Sequence, residues 1–304
     1  MKKISTQPFK ITSLLLFLLL SIPAFSQVNI EVNEEDKSFS RGNFKAFTVD
    51  IPQATWKMVM SDWRSFLKQQ SKKSTTEKNG EVMLPVSFIG RLGTDSLSVY
   101  ATVATKETST TLIAFYFIKD SIPVNTLTAT EKTASIKSFM REFAVNEYKQ
   151  AVQKELSEAE KQLRNLENAV DKIENENESL RKDINQNERA NDRKRNDIST
   201  NEQEQKLKSD AIIQQKALLM NFQGTLEERD KEEKKLSSLE KEKKKLEKAN
   251  ESMHEKIDDN DSENRSLQKR IDKNNEDNIP AAKAAVNSQK NVVMQIREKL
   301  NNIK

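Results

Sequence analysis

The chain has 304 residues, 32% of them charged, with a formal net charge of +4, 5 glycines, 6 prolines and no cysteine. So polar and turn-poor a composition cannot supply two compact cores, and one part of the chain must be extended. The missing thiols exclude a disulfide framework, a thiolate metal site and a cysteine nucleophile.

The chain opens on MKKISTQPFKITSLLLFLLLSIPAFSQ: a basic start, an apolar run through Leu14–Leu20, then Ala24-Phe25-Ser26. This pattern predicts a signal peptide over residues 1–26, cleaved after Ser26. The apolar run is short of the ~20 residues a membrane span needs, and no cysteine follows to carry a lipid. The expected product is periplasmic or secreted, with no stable membrane anchor after cleavage. Cleavage removes Lys2, Lys3 and Lys10, leaving 48 basic against 47 acidic residues. The basic balance thus belongs to the leader. The densest basic run, Lys241–Lys245, sits beside Glu232, Glu233, Glu240 and Glu247, so it reads as a solvated helix face and not as a nucleic-acid footprint.

Residues 27–126 read as an α+β head domain. Val28, Ile30 and Val32, then Phe47, Val49 and Ile51, alternate with polar residues and predict two strands. In ATWKMVMSDWRSFLKQQ the period changes: Trp56, Val59, Met60, Trp63, Phe66 and Leu67 recur at three and four, making one apolar helix face. At that spacing the tryptophans belong to a core, with a ligand pocket as the alternative. SKKSTTEKNG then reads as a polar linker. VMLPVSFI (82–89), LSVYATV (97–103) and TLIAFYFI (111–118) predict three more strands, the first edged or bulged at Pro85. The expectation is a small antiparallel sheet with one helix covering a face.

Residues 127–304 read as an antiparallel coiled-coil hairpin with its turn near 222–226. Thr128 and Glu131 fit a capping box at the start of a helix. Ile136, Phe139, Met140, Phe143 and Tyr148 make a wide apolar stripe, which narrows to a heptad seam through Val152, Leu156, Ala159, Leu163, Leu166, Val170 and Ile173. Farther on, the seam positions carry Asn177, Asn187, Asn191 and Asn201, and a second seam carries Asn250, Asn260, Asn264 and Asn274. Pairing residues whose numbers sum to 451 brings all four couples together, with the midpoint beside Gly224, where a turn tolerates positive φ. Paired amides fix alignment, because a slipped register leaves them unpaired. A parallel homodimer would instead pair each asparagine with its own copy, but leaves the mirrored spacing and the glycine without a reason. Pro280 requires a kink or restart, and past it the best sum becomes 452, so one residue is absorbed there. At ~1.5 Å per residue the expected arm is roughly 110 Å long.

Near the turn, Leu218, Leu219, Met220, Phe222 and Leu226 are more apolar than two helices need, against a returning EERDKEEKK. Either they stay exposed as a partner-binding surface, or they fold over the turn locally. The acidic DDNDSEN (258–264) lacks the central glycine of a calcium loop, and the single histidine, His254, has no second histidine to share a metal with. No phosphate-cradling glycine loop or G-x-S-x-G occurs, and nothing spaces Asp50, Asp62 or Asp95 into a catalytic group. No cofactor and no enzymatic activity are expected.

FTVDIPQATWKMVMSDWRSFLKQQSKKS, followed by SFMREFAVNEYKQAVQKELSEAEKQLRNLE, resembles a group of uncharacterised secreted proteins of Bacteroidetes-type bacteria, over about half the chain. In that group a small N-terminal domain feeds a coiled coil. The resemblance implies export and a two-part architecture, and no activity. The functional expectation is a non-enzymatic periplasmic or secreted adaptor or scaffold. Its hairpin tip would meet a protein partner at the cell envelope or a second copy. The alternative is a head that binds a small molecule or glycan, with the coiled coil serving oligomerisation.

Overall fold

The computed structural model describes residues 29–304. The expected signal peptide over 1–26 lies outside the described residues. In chain order come β1 (Val32–Phe39), β2 (Gly42–Pro52), α1 (Trp56–Ser71), β3 (Thr76–Lys78), β4 (Glu81–Phe88), β5 (Ser96–Thr105), β6 (Ser109–Ile118), β7 (Ile122–Pro123), α2 (Thr130–Met220), α3 (Leu226–Lys273), a π turn (Asn274–Asn278) and α4 (Ile279–Asn302). The chain divides into two units, Met1–Arg164 with Asn287–Lys304, and Asn165–Val286.

The first unit holds an antiparallel sheet in the order β1-β2-β6-β5-β4-β3, with β7 against β6. Alternation sets its inner face: Phe47, Val49 and Ile51 of β2 lie beside Leu112, Ala114 and Tyr116 of β6 and Leu97, Val99 and Ala101 of β5, all buried. Helix α1 is capped by the Thr55 hydroxyl, which accepts from the Met58 amide, and its three-and-four period turns Val59, Met60, Trp63 and Leu67 into the core. Ile136, Phe139, Met140 and Phe143 of α2 join them, with the Trp63 ring edge-on to Phe143 at 4.9 Å. Val293 and Ile296 of α4, and Ile303 beyond it, complete the same cluster.

Several expectations change here. Trp56 is 50% exposed, so Trp63 alone of the two tryptophans is core. SKKSTTEKNG is not a linker throughout, since Thr76–Lys78 pair with Glu81–Met83 through an Asn79-Gly80 turn with both φ values positive. Asn-Gly is the residue pair such a turn asks for. The register of β4 shifts between Leu84 and Ser87, around Pro85, which has no amide for the ladder. The expected capping box at Thr128 does not form as drawn. Asn125 Oδ1 takes the amides of Leu127 and Thr128 at 2.9 and 3.0 Å, while the Thr128 hydroxyl donates to Pro123 O at 2.8 Å. An asparagine upstream thus makes the turn that launches α2.

The outer face of the sheet has a cluster of its own. Phe39 stacks on Phe115 at 4.1 Å, Tyr100 meets Phe117 edge-on, and the Arg41 guanidinium lies 4.8 Å from the Phe117 ring. Arg41 also donates to Asp120 at 2.7 Å. The Ser98 hydroxyl, with further help from Tyr100 and Arg41, holds the Asp120 carboxyl below its ordinary range against some opposing burial. Burial on both faces is why TLIAFYFI shows no alternation.

In the second unit Val170, Leu180, Ile198 and Ile212 of α2, Ile257 and Ile271 of α3, and Val286 of α4 are buried. Near Pro280 the chain neither stops nor restarts. Lys273, Asn274 and Ile279 all keep right-handed helical angles, and the Ile279 amide donates to Asn274 O, five residues back. A π turn is a one-residue insertion into an α-helix, and this one directly precedes Pro280, whose ring would crowd an unrelieved turn. No helix among the described residues is long and apolar enough to cross a membrane.

Candidate functional site

The site is built from two parts of the second unit: the asparagine rungs and the turn. Each rung begins with an amide side chain at a seam position, where it loses water and must find a partner. Asn274 Nδ2 donates to Asn177 Oδ1 at 2.8 Å, and Asn187 Nδ2 donates to Asn264 Oδ1 at 3.0 Å. Asn260 Nδ2 donates to Asn191 Oδ1 at 2.7 Å, and Asn201 Nδ2 donates to Asn250 Oδ1 at 2.7 Å. These are the four couples whose numbers sum to 451. Asn177, Asn191, Asn250 and Asn274 are buried, while Asn187, Asn201, Asn260 and Asn264 are half-buried.

The rungs also reach further than the seam pattern shows. Asn177 Nδ2 donates to Asn275 Oδ1, Asn191 Nδ2 to Asp261 Oδ1, and Asn187 Nδ2 also to Glu263 Oε2. The neighbouring residue on α3 or in the π turn thus accepts the proton that a single amide pair leaves over. Seam spacing alone does not reveal these partners, because they stand one position off the seam.

Toward the turn, Lys208 Nζ meets Glu242 Oε2 at 2.6 Å. Gln215 is buried and donates to Glu232 O at 3.2 Å and Glu232 Oε2 at 2.7 Å. The Thr225 hydroxyl accepts from the Glu228 amide, and the Glu228 carboxylate accepts from the Thr225 amide at 2.8 Å, a reciprocal cap that starts α3. The Thr225 amide and the Thr225 hydroxyl both donate to the Glu228 carboxylate and hold it below its ordinary range, the backbone bond first. Gly224 is required for a reason other than the one expected. Its φ is not positive; a Cβ there would stand 2.7 Å from the Phe222 ring and 2.8 Å from Glu228 Oε2. Glycine lets Phe222 fold across the turn.

The five apolar residues at the turn therefore separate into two groups. Leu219 and Phe222 are half-buried. Leu218, Met220 and Leu226 are exposed, Met220 and Leu226 at 87% and 86%. Ile213 and Leu207 on the approach are exposed as well, at 66% and 69%.

The three head carboxylates considered for chemistry are held apart on different elements. Asp50 receives Lys106 Nζ at 2.6 Å, Asp95 receives Lys132 Nζ at 2.9 Å, and Asp62 lies beside Glu147. What the rungs and turn offer chemically is alignment and apolar contact area. Compared with known proteins, the chain matches no family model, no curated protein and no solved structure.

Proposed function

We propose that this chain is a non-enzymatic interaction protein of the cell envelope, exported by its leader. In this reading α2 and the α3–α4 run form an antiparallel coiled-coil hairpin, and the turn between them docks a protein partner. The hairpin reading is supported by the four amide couples, whose numbers fall on one helix as they rise on the other. Export is supported by the leader pattern and by the resemblance to secreted two-part proteins.

One observation carries the docking role: Leu218, Met220 and Leu226 stay in water at the turn, although Phe222 and Leu219 nearby find cover. Exposed aliphatic side chains clustered at one end of a polar element are what a partner interface supplies and what solubility opposes. A fully buried aliphatic side chain contributes ~2 kcal/mol, so losing one of them weakens an interface at least tenfold. The test places a photoreactive amino acid at Met220 in the native cells and cross-links there, with and without Leu226→Glu. A discrete adduct at 220 that drops at least tenfold with Leu226→Glu is expected. No adduct, or one indifferent to Leu226→Glu, refutes the docking role.

A further inference from the structure

The first unit carries a surface groove that the proposed role at the turn does not use. We infer that this groove, along α1, binds an acidic oligosaccharide. Its shape follows from helical spacing. Trp56, Met60, Arg64 and Lys68 stand four residues apart in one row, and Lys57, Ser61 and Ser65 form the adjacent row. From Trp56 to Lys68 the row runs ~18 Å, long enough for several linked sugar rings. Ser74, Thr75 and Glu77 complete the lining of this open groove, whose volume is about 500 Å3.

The lining matches pyranose chemistry. Trp56 leaves half of its area in water at the first position of α1, where core packing does not require it, because Trp63 fills that task seven residues on. A flat, electron-rich indole offers a face to the C–H side of a sugar ring, whose C–H bonds carry the positive end of the contact. The hydroxyls of Ser61, Ser65, Ser74 and Thr75 line the rest and match the ring hydroxyls. The preference for acidic sugars comes from charge. Glu77 is the sole acid of the lining and Arg64 Nη1 already donates to it at 2.6 Å, which leaves Lys57 and Lys68 facing the groove. The Lys57 ammonium sits 5.6 Å from the Trp56 ring centre, so an anionic substituent on a stacked ring meets a cation at once. An extended peptide is the weaker fit. β3, the strand beside the groove, is three residues long and offers a short backbone edge, and Trp56 and Met60 are the only large apolar side chains in the lining.

The test titrates the mature chain with short polyuronate oligomers by calorimetry, against neutral cello-oligosaccharides and poly-L-glutamate. Tryptophan emission is followed in parallel, Trp63 being buried and serving as an internal reference. Saturable binding of the polyuronate is expected, roughly tenfold weaker in Trp56→Ala and nearly retained in Trp56→Phe. Lys57→Ala with Lys68→Ala should weaken it further and flatten its salt dependence. Unchanged thermal unfolding of each variant shows that the fold is kept. Absent binding, binding indifferent to Trp56→Ala, or equal binding of poly-L-glutamate or the neutral sugar overturns the inference. None of these results bears on the cross-link at the turn, so the two proposals fail separately.

Discussion

At the scale of single residues, Glu147 is a buried acid of the first unit. It is 2% exposed, one of its carboxylate oxygens finds no hydrogen-bond partner among the described residues, and Asp62 of α1 stands beside it. Burial first, then the Asp62 charge and hydrogen bond, pushes the Glu147 carboxyl up to about 8 from 4.5. The folded state therefore holds a proton that the unfolded chain releases. The stability tied to that proton is complete below the unfolded value of 4.5 and is lost as pH rises through about 8. Thermal unfolding followed from pH 5 to pH 8.5 should show Tm falling as pH rises. Glu147→Gln should raise Tm at the alkaline end, by on the order of 1–3 kcal/mol of stability, and flatten the profile. A variant with the same slope as the parent would show that Glu147 is not the titrating group. None of this is legible in NEYKQ, because Asp62 comes from α1, far away in sequence. Trp56 is misread for the same reason: helical spacing says which residues share a face, but the edge of that face is set by where the sheet ends.

At the scale of elements, local chemistry with a period or a fixed offset can be read directly, and chemistry that depends on a partner cannot. Strand β2 follows from alternation, helix α1 from three-and-four spacing, and β4, β5 and β6 from apolar runs bounded by turn residues. β1 does not: the expected strand covers Val28, Ile30 and Val32, but β1 begins at Val32 and runs on through polar NEEDKS to Phe39, which carries no apolar pattern. β3 is missed although Asn79-Gly80 signals a hairpin, because three exposed residues carry no hydrophobic pattern. β7, with two residues, is below the reach of any pattern. The outer aromatic cluster needs Phe39 to return across the sheet, a consequence of the β1–β2 pairing. The break at Pro280 is visible in the sequence, and its physical form is a π turn. The rungs give a prediction at this scale. Asn191→Leu alone leaves Asn260 without its partner and should destabilise by about 1–3 kcal/mol. Asn191→Leu with Asn260→Leu should recover that loss or exceed the parent, since burial of two leucines replaces a polar pair. Denaturant unfolding of the three proteins decides it. A single variant as stable as the parent would mean that the amides do not depend on each other.

At the scale of the whole molecule, the proposal joins a leader for export, a sheet-and-helix unit with its own core, and helices whose polar rungs oblige them to meet in one alignment. The position of the turn follows from that alignment, and the exposure of Leu218, Met220 and Leu226 gives it a use. All of it depends on one chain doubling back so that the rungs face each other within a single molecule. Because the chain has no cysteine, two introduced thiols are the only ones present. The most direct measurement is therefore disulfide formation in Asn187→Cys with Asn264→Cys, using a mixture of isotopically heavy and light protein and reading the linked peptides by mass. The expected result is linked peptides of matched isotope only, with no such link when the second cysteine is moved to Ile271. Mixed heavy–light peptides as the main product, or equal linking from Ile271→Cys, would contradict the doubled-back chain and remove the basis for a docking turn.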